Sequence, residues 1–137
     1  MNDVLVQKIT SLQRCVARAR GARARAGENF NQDFDLQDVA VLNVLRACEI
    51  AIDLANMVIR QQRLGVPAES RESFAILQRE GQLQADLSEK LQRMVGFRNV
   101  AVHQYRELDP DIVLSVIDQD LDNLLAFAKI VHESCQP

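Results

Sequence analysis

Aromatic residues are scarce in this sequence: there is no tryptophan, one tyrosine and 4% aromatics, although 47% of the 137 residues are hydrophobic. The core must therefore be built from Leu, Val, Ile and Ala side chains, which suit helix packing better than a β-sandwich. Three prolines and five glycines are also too few breakers for many short strands. These shortages predict an all-α protein that forms a single domain over residues 1–137.

Cysteine spacing and the length of apolar runs exclude two further classes of protein. Cys15, Cys48 and Cys135 are odd in number, far apart and in no CxxC spacing. They predict free thiols in a reducing compartment rather than a disulfide framework or a zinc site. No apolar run approaches the roughly 18 residues that span a bilayer, and no signal peptide is evident. We therefore expect a soluble, cytoplasmic protein without a membrane partner.

Most catalytic signatures are missing as well. The sequence contains no GxxxxGK[ST], GxGxxG, HExxH or GxSxG motif, and two histidines are too few for most metal sites. The 19 acidic residues follow no ligand-like pattern. We therefore predict neither a bound metal nor a cofactor.

Hydrophobic periodicity predicts helices, and capping signals indicate where they begin and end. Asp35 and Ser70 are the expected N-caps of the second and third helices, Gly81 should stop the third, and Asp109-Pro110 should start the fifth. The predicted helices cover residues 3–25, 36–63, 70–80, 85–103 and 110–132. The expected architecture is an antiparallel bundle of four long helices plus one short helix.

Two charge patterns allow more than one interpretation, although the net charge is only −3. The first helix carries basic residues and almost no acidic ones: Lys8, Arg14, Arg18, Arg20, Arg23 and Arg25. This pattern is either a solvated face or a surface that contacts phosphates or a partner. The second helix carries a polar stripe that either is solvated or borders a cleft or another helix: Arg46, Glu49, Asp53, Asn56 and Arg60.

The segment that joins the fourth and fifth helices, residues 98–105 (RNVAVHQY), carries the most promising chemistry. Arg98 and His103 are five positions apart, which is about 140° of rotation on an α-helix. They can converge if the helix ends around His103, or if a second subunit brings an identical pair alongside. Asn99 and His103 share a face, so Asn99 can orient the imidazole or bind substrate.

Such a set of side chains supports RNA cleavage without a metal. The imidazole of His103 can act as general base or acid, while the guanidinium of Arg98 grips the phosphate and stabilises developing charge. RNA carries its own nucleophile in the 2′-hydroxyl, so neither a serine, a cysteine nor a metal is required. Arg98 and His103 alone are a weak motif, whereas Asn99 and Tyr105 beside them make the pattern far more restrictive.

The wider segment, residues 94–105 (MVGFRNVAVHQY), resembles the hallmark of HepT-like proteins, a branch of the HEPN superfamily. The similarity extends to Val66-Pro67, to residues 70–77 (SRESFAIL) and to residues 47–56 (ACEIAIDLAN). It therefore covers the second to fifth predicted helices, while the first is similar only in general character.

The resemblance implies a helical-bundle homodimer in which Arg-x4-6-His motifs of both subunits form one ribonuclease site. It further implies a toxin whose antitoxin is a minimal nucleotidyltransferase. By this resemblance Arg98 and His103 are the catalytic pair, Asn99 is a supporting polar residue, and Tyr105 is the residue to which the antitoxin attaches AMP. An AMP group on Tyr105 would add bulk and negative charge beside the phosphate-binding site and repel RNA.

The leading hypothesis is thus a metal-independent endoribonuclease toxin that a nucleotidyltransferase silences. The main alternative is a non-catalytic helical module that binds RNA, a nucleotide or a nucleotidyltransferase, with His103 in a structural role. A plain helical dimerisation subunit is a third possibility. Tyr105 would then be an ordinary amphipathic loop residue.

Overall fold

The computed structural model describes residues 3–135, and every regular element in that range is helical. The helices are α1 (Asp3–Ala26), α2 (Phe34–Gln62), α3 (Ser70–Arg79), α4 (Ala85–His103) and α5, which runs through the consecutive segments Pro110–Ser115, Val116–Asp120 and Leu121–Ser134. Short 3₁₀ turns follow α1 at Gly27–Asn29 and α4 at Tyr105–Glu107. The prediction of four long helices and one short one is confirmed.

The α1–α2 hairpin is the most extensive helix–helix contact, and α2 also packs against α3, α4 and α5. The predicted apolar faces point inward. Leu12 and Ala19 on α1 are completely buried, and the exposed fraction of Leu121 and Leu124 on α5 is no more than 1%. Burying such a Leu side chain stabilises the fold by about 1.5–3 kcal/mol. Because α2 contacts every other helix, polar side chains along it can reach the helices on either side.

The core is aliphatic, as the composition predicts, with one aromatic pair. Phe74 of α3 and Phe127 of α5 meet edge to face with their ring centroids 5.3 Å apart. Cys15 and Cys48 are buried, Cys135 is partly buried, and all three are free. None of the helices in residues 3–135 is long and apolar enough to cross a membrane.

Two of the predicted caps are wrong. The N-cap of α2 is Asp33, whose carboxylate accepts a hydrogen bond of 3.0 Å from the backbone N–H of Leu36, so Asp35 already lies in the first turn. The third helix begins at Ser70 itself, and its hydroxyl does not cap the helix. The start of α5 is as predicted, because Asp109 caps it and Pro110 is its first residue.

The fifth helix differs from the uninterrupted helix that its periodicity predicts. Residues Val116–Asp120 form a π-helical turn, closed by a hydrogen bond from the N–H of Leu121 to the carbonyl of Val116. A π turn inserts one residue into the α-helical repeat. Ile117 inside the turn and Leu121 directly after it both lie in the core, where each is no more than 1% exposed.

Candidate active site

Helix α4 ends where the candidate chemistry begins. His103 is its last residue, and Gln104 leaves the helical conformation (φ −136°, ψ 44°) while its N–H still bonds the carbonyl of Val100 at 2.7 Å. The prediction that the helix ends around His103 is confirmed. The helix is continuous from Ala85 to His103, so the 140° offset between Arg98 and His103 applies in full.

Arg98 points inward from α4 and is held by two other helices. Its Nη1 donates to the carboxylate of Glu49 on α2, and its Nη2 donates to the hydroxyl of Ser70 at 3.1 Å. The side chain is only 18% exposed. Its Nε is buried and has no acceptor within residues 3–135. The guanidinium is therefore fixed in place with part of its donor capacity unused, because it has five N–H groups.

The thiol of Cys48 lies behind this ion pair. Burial raises its pKa to about 12, although the nearby Arg98 opposes the shift and Glu49 adds to it. At neutral pH the thiol is therefore protonated and cannot act as the nucleophile of the site.

His103 and Asn99 present the opposite picture. Both side chains are exposed on one face of α4, and neither has a hydrogen-bond or ion-pair partner within the described residues. Within one chain the structure therefore does not bring the imidazole of His103 and the guanidinium of Arg98 together. The 140° offset on a continuous helix therefore favours a second chain for a site that uses both.

A different arginine, Arg71, lies against the face of α4 that carries His103. An added Cβ at Gly96 would collide with the guanidinium of Arg71, so the missing side chain at Gly96 is what allows Arg71 to rest against α4. Gly96 and His103 are seven residues apart, which is about 20° of rotation and roughly 10 Å along the helix. Sequence reasoning did not identify Arg71, because no local spacing connects it to His103.

Tyr105 follows in the 3₁₀ turn, 41% exposed, and its hydroxyl donates a hydrogen bond to the carboxylate of Asp38 on α2. Partial burial, this hydrogen bond and the negative charge of Asp38 together raise the pKa of Tyr105 to about 12. The sequence motifs gave Asp38 no role in the site. Asp38 and Tyr105 are 67 positions apart, so no local pattern could have indicated the contact.

The polar stripe on α2 contacts neighbouring helices, as one of its two interpretations requires. Besides Glu49 with Arg98, Asp53 pairs with Lys8 of α1 at 3.2 Å. The amide oxygen of Asn56 accepts a bond of 2.6 Å from Ser73. Arg46 and Arg60 are the two ends of the stripe. Their side chains are exposed and form no ion pair in the described part of the chain.

Nowhere in residues 3–135 do three or more His, Cys, Asp or Glu side chains come together in a way that could hold a metal ion.

Comparison with protein families gives a match to the model described as ribonuclease HepT-like, over residues 9–131. The match includes most of α1, and so it reaches beyond the four helices that the sequence motifs cover. The chain is 43% identical over 131 residues to an mRNA nuclease HepT from Shewanella oneidensis, across 96% of this chain and 98% of the relative. It is also 32% identical over 92 residues to an Archaeoglobus fulgidus protein described as a putative RNase, across 66% and 68% of the two chains.

Solved structures agree with these sequences. A tri-AMPylated HEPN toxin from Shewanella oneidensis in complex with MNT antitoxin superposes with a TM-score of 0.91 and 41% identity, over 97% of this chain and 99% of that one. A toxin–antitoxin crystal structure with AMP-PNP gives the same TM-score and identity, over 96% and 99% of the two chains.

Proposed function

Since the chain belongs to the HepT-like ribonuclease family, we propose that it is a metal-independent endoribonuclease toxin whose site forms across a homodimer. The observation that carries the proposal is the state of Arg98. Its guanidinium is fixed by Glu49 and Ser70, with unused N–H groups, five residues before an exposed histidine at a helix end. A fixed cation and a free imidazole are the two groups that phosphate-ester cleavage needs, once a second subunit brings them together.

The offset within α4 favours a dimer. Because Arg98 and His103 lie on different faces of one continuous helix, a two-fold pairing of α4 helices allows the Arg98 of one subunit to approach the partner subunit's His103. Arg71, on the same face as His103, supplies a further guanidinium for a neighbouring phosphate. Asn99 lies one turn before His103 and orients the imidazole or contacts the ribose.

The reaction uses the nucleophile that RNA carries. One His103 imidazole takes the proton of the 2′-hydroxyl, and the 2′-oxygen bonds to phosphorus while the bond from phosphorus to the 5′-oxygen breaks. The 5′-oxygen leaves with a proton from an imidazolium, so the products are a 2′,3′-cyclic phosphate and a 5′-hydroxyl. Arg98 stabilises the negative charge that gathers on the phosphoryl oxygens. The step consumes neither a metal nor water.

Silencing by AMP addition is part of the same proposal. Tyr105 is 41% exposed, lies two residues beyond His103, and belongs to a chain similar to an AMPylated toxin. We assign the partner as a minimal nucleotidyltransferase antitoxin that transfers AMP from ATP to the hydroxyl of Tyr105 and releases pyrophosphate. The added phosphate lies next to Asp38, and the repulsion between the two negative charges displaces the modified tyrosine. The displaced AMP group then covers the neighbouring site.

The decisive experiment is an RNA-cleavage assay of the wild-type protein, His103→Ala and Arg98→Ala, each with and without EDTA. We expect each substitution to reduce the cleavage rate by at least about 100-fold, the usual contribution of one acid–base or charge-stabilising group. The matched control is His132→Ala, which removes the other histidine of the chain. Wild-type activity should persist in EDTA, and circular dichroism should show all variants folded.

Two results would contradict the proposal. Intact RNA after incubation with excess unmodified wild-type protein would favour the alternative of a non-catalytic binding module. Loss of activity in EDTA would show that a metal takes part.

For Tyr105, incubation with the nucleotidyltransferase and ATP should add the mass of AMP to the wild type and not to Tyr105→Phe, which should remain an active toxin.

A further inference from the structure

A groove between α1 and α2, about 620 Å³ in volume, lies outside the site described above. Four arginines line it: Arg14, Arg18 and Arg25 of α1, and Arg46 of α2. On α1 the three arginines fall within about 40° of one another on the helix surface and extend over roughly 16 Å. No carboxylate is among the residues that line this groove, which we call the arginine groove.

The basic residues of α1 divide into two sets by their partners. Those outside the groove are neutralised: Lys8 by Asp53 at 3.2 Å, Arg20 by Asp122 at 2.6 Å and Arg23 by Asp118 at 3.4 Å. The arginines of the groove are exposed and form no ion pair within residues 3–135. The groove therefore carries about four uncompensated positive charges on a chain whose net charge is −3, and that concentration favours an anionic ligand.

The floor of the groove is open and apolar. Gly21 lies in the middle of α1, where glycine costs roughly 0.5–1 kcal/mol relative to alanine, and a Cβ added there would meet nothing within 4 Å. Packing inside the chain therefore does not explain the glycine. Leu42 beside it is 47% exposed, and Val39 is 37% exposed. Such a floor suits ribose rings and bases, while the arginines above it suit phosphates.

One buried polar group at the groove wall is also unsatisfied. The Asn43 side chain is 4% exposed, and its amide nitrogen donates to the carbonyl of Val39 at 2.9 Å. Its amide oxygen has no donor within the described chain. An unpaired buried acceptor costs about 1–3 kcal/mol. The lining of the groove therefore includes one acceptor that the described chain leaves unpaired.

The arginine groove continues the surface of the candidate active site. On α2, Arg46 is three residues from Glu49, which holds Arg98, and Leu42 is four residues from Asp38, which holds Tyr105. Residues three or four apart are neighbours on a helix surface. The exposed face of α2 therefore connects the candidate site with the groove.

We propose that the arginine groove binds the sugar–phosphate backbone of single-stranded RNA beside the point of cleavage, with its guanidinium groups on successive phosphates. This inference rests on the proposed function for its choice of RNA. An acidic protein surface is the rival occupant, but the open apolar floor and the continuity with an RNA-cleaving site both favour a nucleic-acid strand.

Binding can be measured apart from cleavage in a His103→Ala background. A labelled oligouridine is titrated at several salt concentrations with this protein and with the same protein carrying Arg18→Gln and Arg46→Gln, one from each wall of the groove. Each phosphate contact to a single strand contributes about 0.7 to the slope of log K against log salt, so the double variant should lose about 1.4. In the cleavage-competent protein, which retains His103, the same double substitution should raise KM and leave kcat unchanged.

The matched control is Arg60→Gln with Arg63→Gln, which removes the same charge from exposed positions at the far end of α2. Its salt slope should equal that of the parent. An unchanged slope in the groove variant, or no RNA binding by the parent, overturns the proposal. So does a groove variant that binds RNA normally but no longer binds the nucleotidyltransferase or changes its oligomeric state, because the groove would then be a protein interface.

The two proposals fail separately. If the wild-type protein does not cleave RNA but the groove variant loses salt-dependent binding, the groove binds RNA and the enzyme assignment is wrong. If cleavage occurs and the salt slope does not change, only the groove assignment is wrong.

Discussion

Arg98 and His103 are five residues apart on the same helix, yet their surroundings differ in every respect. Arg98 is 18% exposed and is held by Glu49 and Ser70 from two other helices. His103 is exposed at the last residue of α4 and makes no side-chain hydrogen bond or ion pair within residues 3–135. One member of the proposed pair is fixed by its own chain, whereas the other is left free.

This contrast matches the different requirements of a charge-stabilising group and a proton-transfer group. A charge-stabilising group works best when it is pre-organised, because it then needs no reorientation as charge develops. A proton-transfer group must meet the substrate directly, and so it stays accessible until substrate and a second subunit arrive. In the proposed site, the chain itself therefore fixes the charge-stabilising group and leaves the acid–base group to the assembly with substrate and a second subunit.

The largest expected effect comes from mixing two inactive variants, Arg98→Ala and His103→Ala. In an equimolar mixture half of the dimers are mixed, and each of these keeps one of the two Arg98–His103 pairs that span the subunits. Cleavage should therefore return to at most about a quarter of the wild-type rate. The measurement is RNA cleavage after the two proteins have exchanged subunits. Each variant mixed with itself is the control, and no recovery after exchange would mean that Arg98 and His103 act within one chain.

A smaller effect is expected from Glu49→Gln, which removes the charge that orients Arg98. We expect cleavage to fall by roughly 10-fold, because a misplaced guanidinium stabilises the transition state less well. The melting temperature should change little, since Glu49 is 52% exposed and exposed ion pairs contribute little to stability. Asp53→Asn is the matched control, because it breaks an ion pair of the same α2 stripe away from Arg98. Equal loss in both variants would argue against a specific role for Glu49.

The smallest expected effect is on the titration of Tyr105. Asp38→Asn removes the charge that helps to raise the pKa of Tyr105 to about 12, so the pKa should move down toward the ordinary value of 10. Because the chain has one tyrosine and no tryptophan, the ultraviolet absorbance of phenolate reports this residue alone. Asp35→Asn, one turn earlier on α2, should leave the titration unchanged, and an unshifted pKa in Asp38→Asn would contradict the contact.

The same raised pKa has a consequence for stability. Above the unfolded pKa of about 10, the unfolded chain loses the tyrosine proton while the folded chain retains it. The stabilisation is therefore complete below about pH 10 and declines as the pH rises toward 12. In Asp38→Asn this part of the alkaline decline should become smaller.

Local patterns predicted most of the fold and the position of the motif. Periodicity gave five helices because apolar residues recur every three to four positions, and the end of α4 at His103 was predicted correctly. The errors lie where neighbouring residues compete for one role. Asp33 and Asp35 are both suitable N-caps by sequence. Ser70 is another, but its hydroxyl accepts a hydrogen bond from Arg98 instead of capping the helix.

The order of residues by itself determined the helical class, the aliphatic core and the Arg98–His103 offset, because each follows from spacing along a single helix. Only the tertiary structure decided that Glu49 and Ser70 hold Arg98, that Asp38 holds Tyr105, and that three of the five arginines of α1 are unpaired beside Arg46. These contacts join residues that are 28 to 67 positions apart. The packing of α2 against the other helices and of α3 against α4 creates them, and no local pattern encodes that packing.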